Sequence, residues 1–159
     1  MRLRSPLPPR HPRAEARRVT ENPIIPGQSA ERTVQIREDQ SARHLGSGSL
    51  RVFATPAMIL LIEETSREAI EPNLPAGMTT VGVELHVRHL APTPIGSSVR
   101  VRSEVVAVDG NRVMLRAQVW DEVEKVGEAE HTRAIIDLER FQRRVAAKAG
   151  AGTPAGPSA

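Results

Sequence analysis

The chain contains no cysteine and no tyrosine, and its aromatic residues are limited to Phe53, Phe141 and Trp120. Without a thiol there is no disulfide framework, no thiolate metal site and no cysteine nucleophile. Three aromatics do not make a stacking platform for nucleic-acid bases, and they leave the core to Val, Leu, Ile, Met and Ala. No stretch approaches the roughly 18 apolar residues of a membrane span. Residues 1–23 lack the apolar segment of a secretory signal. A soluble cytoplasmic protein without a membrane partner is the default expectation.

What is present is 159 residues with 39% hydrophobic content, which suits one globular domain. The sequence pI of about 10.4 would fit a nucleic-acid binder if the charge were spread over the fold. It is not. Residues 1–20 hold Arg2, Arg4, Arg10, Arg13, Arg17 and Arg18 against Glu15, a net of +5, so the rest of a chain that totals +3 carries −2. The basicity belongs to a solvated leader, and no nucleic-acid partner is expected.

Composition divides the chain into three. Residues 1–23, with Pro6, Pro8, Pro9, Pro12 and Pro23, read as a disordered basic leader. Residues 146–159, mostly Ala, Gly, Pro and Ser, read as a flexible tail. The domain is expected at 24–145. Within it a short strand is predicted at Thr33–Arg37 and a helix at Pro56–Ile70, with Thr55 as N-cap, Pro56 at the first helical position and Pro72 as the stop. Residues 57–62 are apolar on every side, so this part of the helix must be enclosed. Strands are predicted at Thr79–Leu90, Val99–Val108, Arg112–Trp120 and Val126–Leu138, the second and third joined through Asp109-Gly110, a strong hairpin signal. The fold class is α+β: one long central helix wrapped by a curved antiparallel sheet. Such a sheet has open edges, and a dimer that continues it is the natural way to close them.

Strand alternation over Thr79–Leu90 puts Val81, Val83, Leu85, Val87 and His89 on one face and Thr80, Gly82, Glu84, His86 and Arg88 on the other. The first face is apolar until His89, which would therefore point at the buried helix from the rim of the core. His86 would face away, which argues against the two histidines forming a metal pair. A hydroxyl at the helix start (Thr55), a carboxylate where the apolar run ends (Glu63, with Glu64 beside it) and an imidazole (His89) make up the set that acyl transfer uses. The free N–H groups of the helix start would favour a developing oxyanion. Eight residues of helix separate Thr55 from Glu63 by about 12 Å. Either His89 and a water span that gap, or a second subunit supplies the carboxylate, and the two-subunit site is the preferred expectation.

The sequence resembles the hot-dog-fold acyl-CoA thioesterases, and within them the fluoroacetyl-CoA thioesterase-like group, from about Thr33 to Val145. Carrying the resemblance are Val52-Phe53-Ala54-Thr55, Glu63 eight residues on, Val81-Gly82 with His89 seven beyond the glycine, and Asp121 to Gly127 leading into His131-Thr132-Arg133. The resemblance implies a homodimer, with pairing of dimers into a tetramer left open, that hydrolyses acyl-CoA without cofactor or metal. It makes Thr55, Glu63 and His89 the catalytic set and Gly82 the residue whose N–H lies by the thioester carbonyl. Phe53 and Arg133 join Gly82 as substrate-binding candidates. In one stretch the chain departs from the fluoroacetate-specific pattern. Where that pattern has a phenylalanine-bearing lid, residues 43–51 are Gly-rich and without aromatics, so a small or medium acyl group is the expected substrate. Two rival readings remain open: a hot-dog module that binds acyl-CoA without turnover, and an enoyl-CoA hydratase using Asp39 and His44, five residues apart.

Overall fold

The computed structural model describes residues 23–151; nearly all of the expected leader, and the tail beyond 151, lie outside the described residues. The element order is β1 (Ser29–Gln35), a 3-10 turn (Glu38–Gln40), α1 (Ala42–Leu45), α2 (Thr55–Ile70), a second 3-10 turn (Glu71–Asn73), β2 (Met78–His89), β3 (Ser98–Asp109), β4 (Arg112–Trp120), β5 (Lys125–Asp137) and α3 (Leu138–Gly150). The five strands form one sheet in the order β1-β3-β4-β5-β2, with every neighbouring pair antiparallel. Its edges are β1 and β2. Gly110 supplies the left-handed residue (φ 57°) of the β3–β4 hairpin.

The long helix lies against one face of this sheet. Its buried residues come in pairs every four positions, Ala57-Met58, Leu61-Ile62, Thr65-Ser66 and Ala69-Ile70, which is the stripe a 3.6-residue repeat presents to a single surface. Opposite the first two pairs stand Val99, Val101, Ala117, Val119 and Ala129 of the sheet, and opposite the last stand Val105, Val113 and Leu115. Burying Leu61 or Ile62 contributes about 1.5–3 kcal/mol each. The polar pair at the middle is satisfied internally: Thr65 donates to the Leu61 carbonyl at 2.7 Å, and the Ser66 and Ser103 hydroxyls meet at 2.8 Å. Full enclosure of residues 57–62 is not what the chain shows. Leu60 is 56% exposed, because one helix against one sheet covers one side only.

Three local expectations are corrected. The first strand lies earlier than predicted, at Ser29–Gln35, where it pairs from Ser29 opposite Glu104 to Gln35 opposite Ser98. The last strand gives way at Leu138 to a helix that runs across the expected tail boundary at 145/146, and the Asp137 side chain accepts from Arg140 N at 2.8 Å as its N-cap. Most consequential is β2, whose pairing with β5 slips between Gly82 and Glu84, leaving Val83 as a bulge. A bulge inserts one residue and so inverts the alternation. Thr80 and Gly82 therefore face the helix, as Leu85, Val87 and His89 do beyond it.

Candidate active site

Ala54, not Thr55, occupies the N-cap position of α2. It has extended dihedrals (φ −84°, ψ 144°) and offers no side-chain hydrogen bond. Thr55 is the first helical residue, and its hydroxyl lies 2.8 Å from His89 Nδ1. With the hydroxyl donating, Nδ1 accepts and the ring proton sits on Nε2, a buried atom with no partner. Phe53, itself buried, meets the imidazole edge to face with ring centres 6.1 Å apart. Burial pushes the His89 pKa below its usual 6.5, against an opposing pull from the Ala91 backbone, so the ring is neutral at neutral pH and able to take a proton. A cleft of about 330 Å³ opens at this pair, with Ala42, Ser47, Ala91 and Pro92 on its walls.

Two turns along α2, Glu63 belongs to a different group. Its Oε1 lies 3.6 Å from His131 Nε2 and 3.9 Å from Arg133 Nη1. Both partners are on the inner face of β5, and Gly82, paired with Arg133 across the sheet, closes the group. A Cβ at residue 82 would stand 2.5 Å from Glu63 Oε1 and 3.4 Å from His131 Nε2, so only glycine leaves the carboxylate its place. Arg133 is buried and already engaged: Nε donates to Thr80 Oγ1 at 2.9 Å and Nη2 to the Thr80 carbonyl at 3.1 Å. Its pKa is lowered by burial, with Glu63 and Glu71 working the other way. Burial, reinforced by the Arg133 charge, lowers His131 to about 4. Glu64, the neighbouring carboxylate, points elsewhere and is ion-paired with Arg32, as is Glu68.

The structure thus brings Thr55, His89 and Phe53 together, and separately Glu63, Gly82 and Arg133. His131 is the member of the second group that sequence reasoning did not single out. Inner-face alternation on β5 (Ala129, His131, Arg133) was the signal that pointed to it. The residues of the rival readings have other partners. Asp39 forms a two-pronged pair with Arg37 at 3.2 and 3.0 Å on the surface, and His86 faces outward to Glu84 at 2.9 Å.

Comparison with known proteins decides the family. The model of the family described as fluoroacetyl-CoA-specific thioesterase matches residues 36–139. The chain belongs to the fluoroacetyl-CoA-specific thioesterase family. Within that family it is 39% identical, over 64% of its length and 73% of the relative's, to the fluoroacetyl-CoA thioesterase of Streptantibioticus cattleyicolor. A mutant fluoroacetyl-CoA thioesterase solved in complex with acetyl-CoA superimposes with a TM-score of 0.74 at 31% identity, covering 79% of this chain and 98% of the other. A hot-dog-like protein from Thermanaerovibrio acidaminovorans, 24% identical with a TM-score of 0.74 over 81% and 94% of the two chains, has the same fold. The thioesterase resemblance and the hot-dog fold read from the sequence are borne out. Among the described residues of this thioesterase, no helix is long and apolar enough to cross a membrane.

Proposed function

We propose that this thioesterase hydrolyses a small or medium acyl-CoA at a site built by two copies of the chain, Thr55 and His89 from one, Glu63 and Gly82 from the other. The observation that carries the reading is the division of the site within one chain. Thr55, hydrogen-bonded to the His89 imidazole of β2, and the Glu63 carboxylate sit about 12 Å apart along the same helix, each group incomplete for thioester chemistry.

Pairing two copies through the free edge of β2 brings the halves together. An antiparallel pairing with its two-fold axis between Leu85 and His86 sets Gly82 of one copy opposite the partner's His89. The surface this would cover is apolar where it needs to be. Val83 in the bulge is 47% exposed, Leu90 at the strand end 43%, and Leu60 lies on the uncovered side of the helix. Unpaired strand edges of this kind are normally covered in native proteins.

In the assembled site the thioester carbonyl lies by the Gly82 N–H, which donates to the oxyanion as it forms. Glu63, as nucleophile or as base for a water, adds oxygen to the acyl carbon. The C–S bond breaks, and the proton given up by the consumed water passes through His89 to the CoA thiolate; in the nucleophile route that water is the one that splits the acyl–Glu63 anhydride. Thr55 holds the imidazole by Nδ1. One water is consumed, and the acid and CoA are released. The segment over the cleft, α1 and residues 46–51, carries exposed Leu45 and Leu50 but no Phe, Tyr or Trp, which favours tolerance of acyl groups over selection for one. A panel of acyl-CoA esters from acetyl and fluoroacetyl upwards, followed by free-thiol release, tests this. Turnover of several short and medium esters, lost in Glu63→Gln, is expected; tight acyl-CoA binding without thiol release would replace it with the non-catalytic reading.

A further inference from the structure

His131 is buried with no side-chain exposure, and both of its ring nitrogens lack a hydrogen-bond partner. An imidazole in that condition weakens the fold, since two polar atoms have been taken from water with nothing in return. Its strand neighbours are Leu115 on β4 and Leu85 on β2, an environment in which leucine would be the stable choice. The ring nevertheless aims Nε2 at Glu63 Oε1 across 3.6 Å, a gap that a shift of about 0.7 Å closes to an ordinary hydrogen bond. Gly82 keeps the corridor between them open. Arg133 approaches the same oxygen with Nη1, the arm that Thr80 does not hold, but from 3.9 Å and with the rest of its guanidinium anchored to Thr80. His131 is the nearer of the two donors.

We propose that His131 is a positioning residue for Glu63: its Nε2–H donates to Oε1 from beneath, fixing one carboxylate oxygen so that the other faces the thioester. The inference rests on the catalytic reading of Glu63. The ring, held neutral by its burial, orients the carboxylate without cancelling its charge. Since it lies below Glu63 and is closed to solvent, it acts on turnover and not on acyl-CoA binding.

His131→Leu and His131→Gln, assayed beside Glu63→Gln, test this. The glutamine amide presents an N–H close to where Nε2 stands, whereas leucine fills the space without a donor. In His131→Leu, kcat should fall about tenfold, the worth of a hydrogen bond to a charged group, with KM within about twofold and the melting temperature no lower than wild type. His131→Gln should recover most of that kcat. A purely structural role would instead lower the melting temperature and show no difference in kcat between the variants. Wild-type kcat in His131→Leu, or a glutamine variant as slow as the leucine one, overturns the proposal. If Glu63→Gln abolishes turnover while His131→Leu does not, only this inference falls; if Glu63→Gln remains active, the catalytic reading of Glu63 falls with it.

Discussion

The two ends of the half-site on α2 are built on opposite terms. At the Thr55 end the hydroxyl and the imidazole Nδ1 meet at 2.8 Å beside an open cleft. At the Glu63 end, a 42% exposed carboxylate stands over a buried imidazole with no hydrogen bond of its own. The first arrangement spends one ring nitrogen on a hydrogen bond and leaves Nε2 as the unpartnered donor. The second keeps unmet hydrogen-bonding capacity in the core, so its stability has been given up where orientation matters. The same helix carries both and holds them about 12 Å apart, the separation on which the two-copy proposal rests.

The sharpest way to break this comparison is to inactivate the ends separately. Thr55→Ala and Glu63→Gln should each lower kcat by about 10²–10⁴. When the two variants are mixed and allowed to exchange subunits, statistical pairing leaves one intact site in half of the dimers, about a quarter of wild-type activity. No regained activity would mean that each chain completes its own site. The next largest effect belongs to Gly82→Ala. The added Cβ lies 2.5 Å from Glu63 Oε1, and the flexible carboxylate, not the backbone, gives way. The fold should persist with an unchanged melting temperature while kcat drops by about 10²-fold, the cost of displacing a reacting group by about 1 Å.

The Thr55 end was legible because it is written at the termini of elements: a hydroxyl before a proline at a helix start, and a histidine closing an apolar strand. The other end was half hidden. Period-two alternation assigned Gly82 and His89 to opposite faces of β2, and only the bulge at Val83 puts both towards the helix. Valine is an ordinary strand residue, so nothing local announces the extra position; it is imposed by the pairing with β5. The same tertiary pairing places His131 under Glu63, sixty-eight residues away in the chain. Thr55 was misread as a cap because propensity favours threonine there, whereas its contact with residue 89 is long-range. The final helix is masked by its Ala-rich end, which reads as a tail, although Asp137 before Leu138-Glu139 is a usable start signal.

The buried end should also be visible in stability. In the unfolded chain His131 takes up a proton near its ordinary 6.5, in the folded chain only at about 4. Between those values the unfolded state binds more protons, so stability falls as pH drops from 6.5 towards 4 and is fully present above 6.5. The contribution reaches about 3 kcal/mol at the acid end. The ionisable groups facing the ring, Glu63 from α2 and Arg133 from its own strand, are unchanged in His131→Leu, which should therefore show a shallower loss of urea midpoint between pH 6.5 and 4. Parallel curves for the two proteins would place the imidazole in contact with water.

The smallest effect sharpens the comparison from the other side. Because Thr55 spends its hydroxyl on His89, the helix begins on an alanine cap, and Pro56 leaves the Ala57 N–H as the donor a cap would satisfy. Ala54→Ser supplies that acceptor without touching the Thr55–His89 hydrogen bond. It should stabilise the protein by about 1 kcal/mol, about 4 °C in melting temperature for a domain of this size, with kcat unchanged. If stability rises and activity holds, capping and chemistry at the helix start are separable, and the alanine at 54 reflects no demand of the reaction. A fall in kcat would show instead that the new hydroxyl competes for His89 or fills the cleft, and that the uncapped start is part of the site.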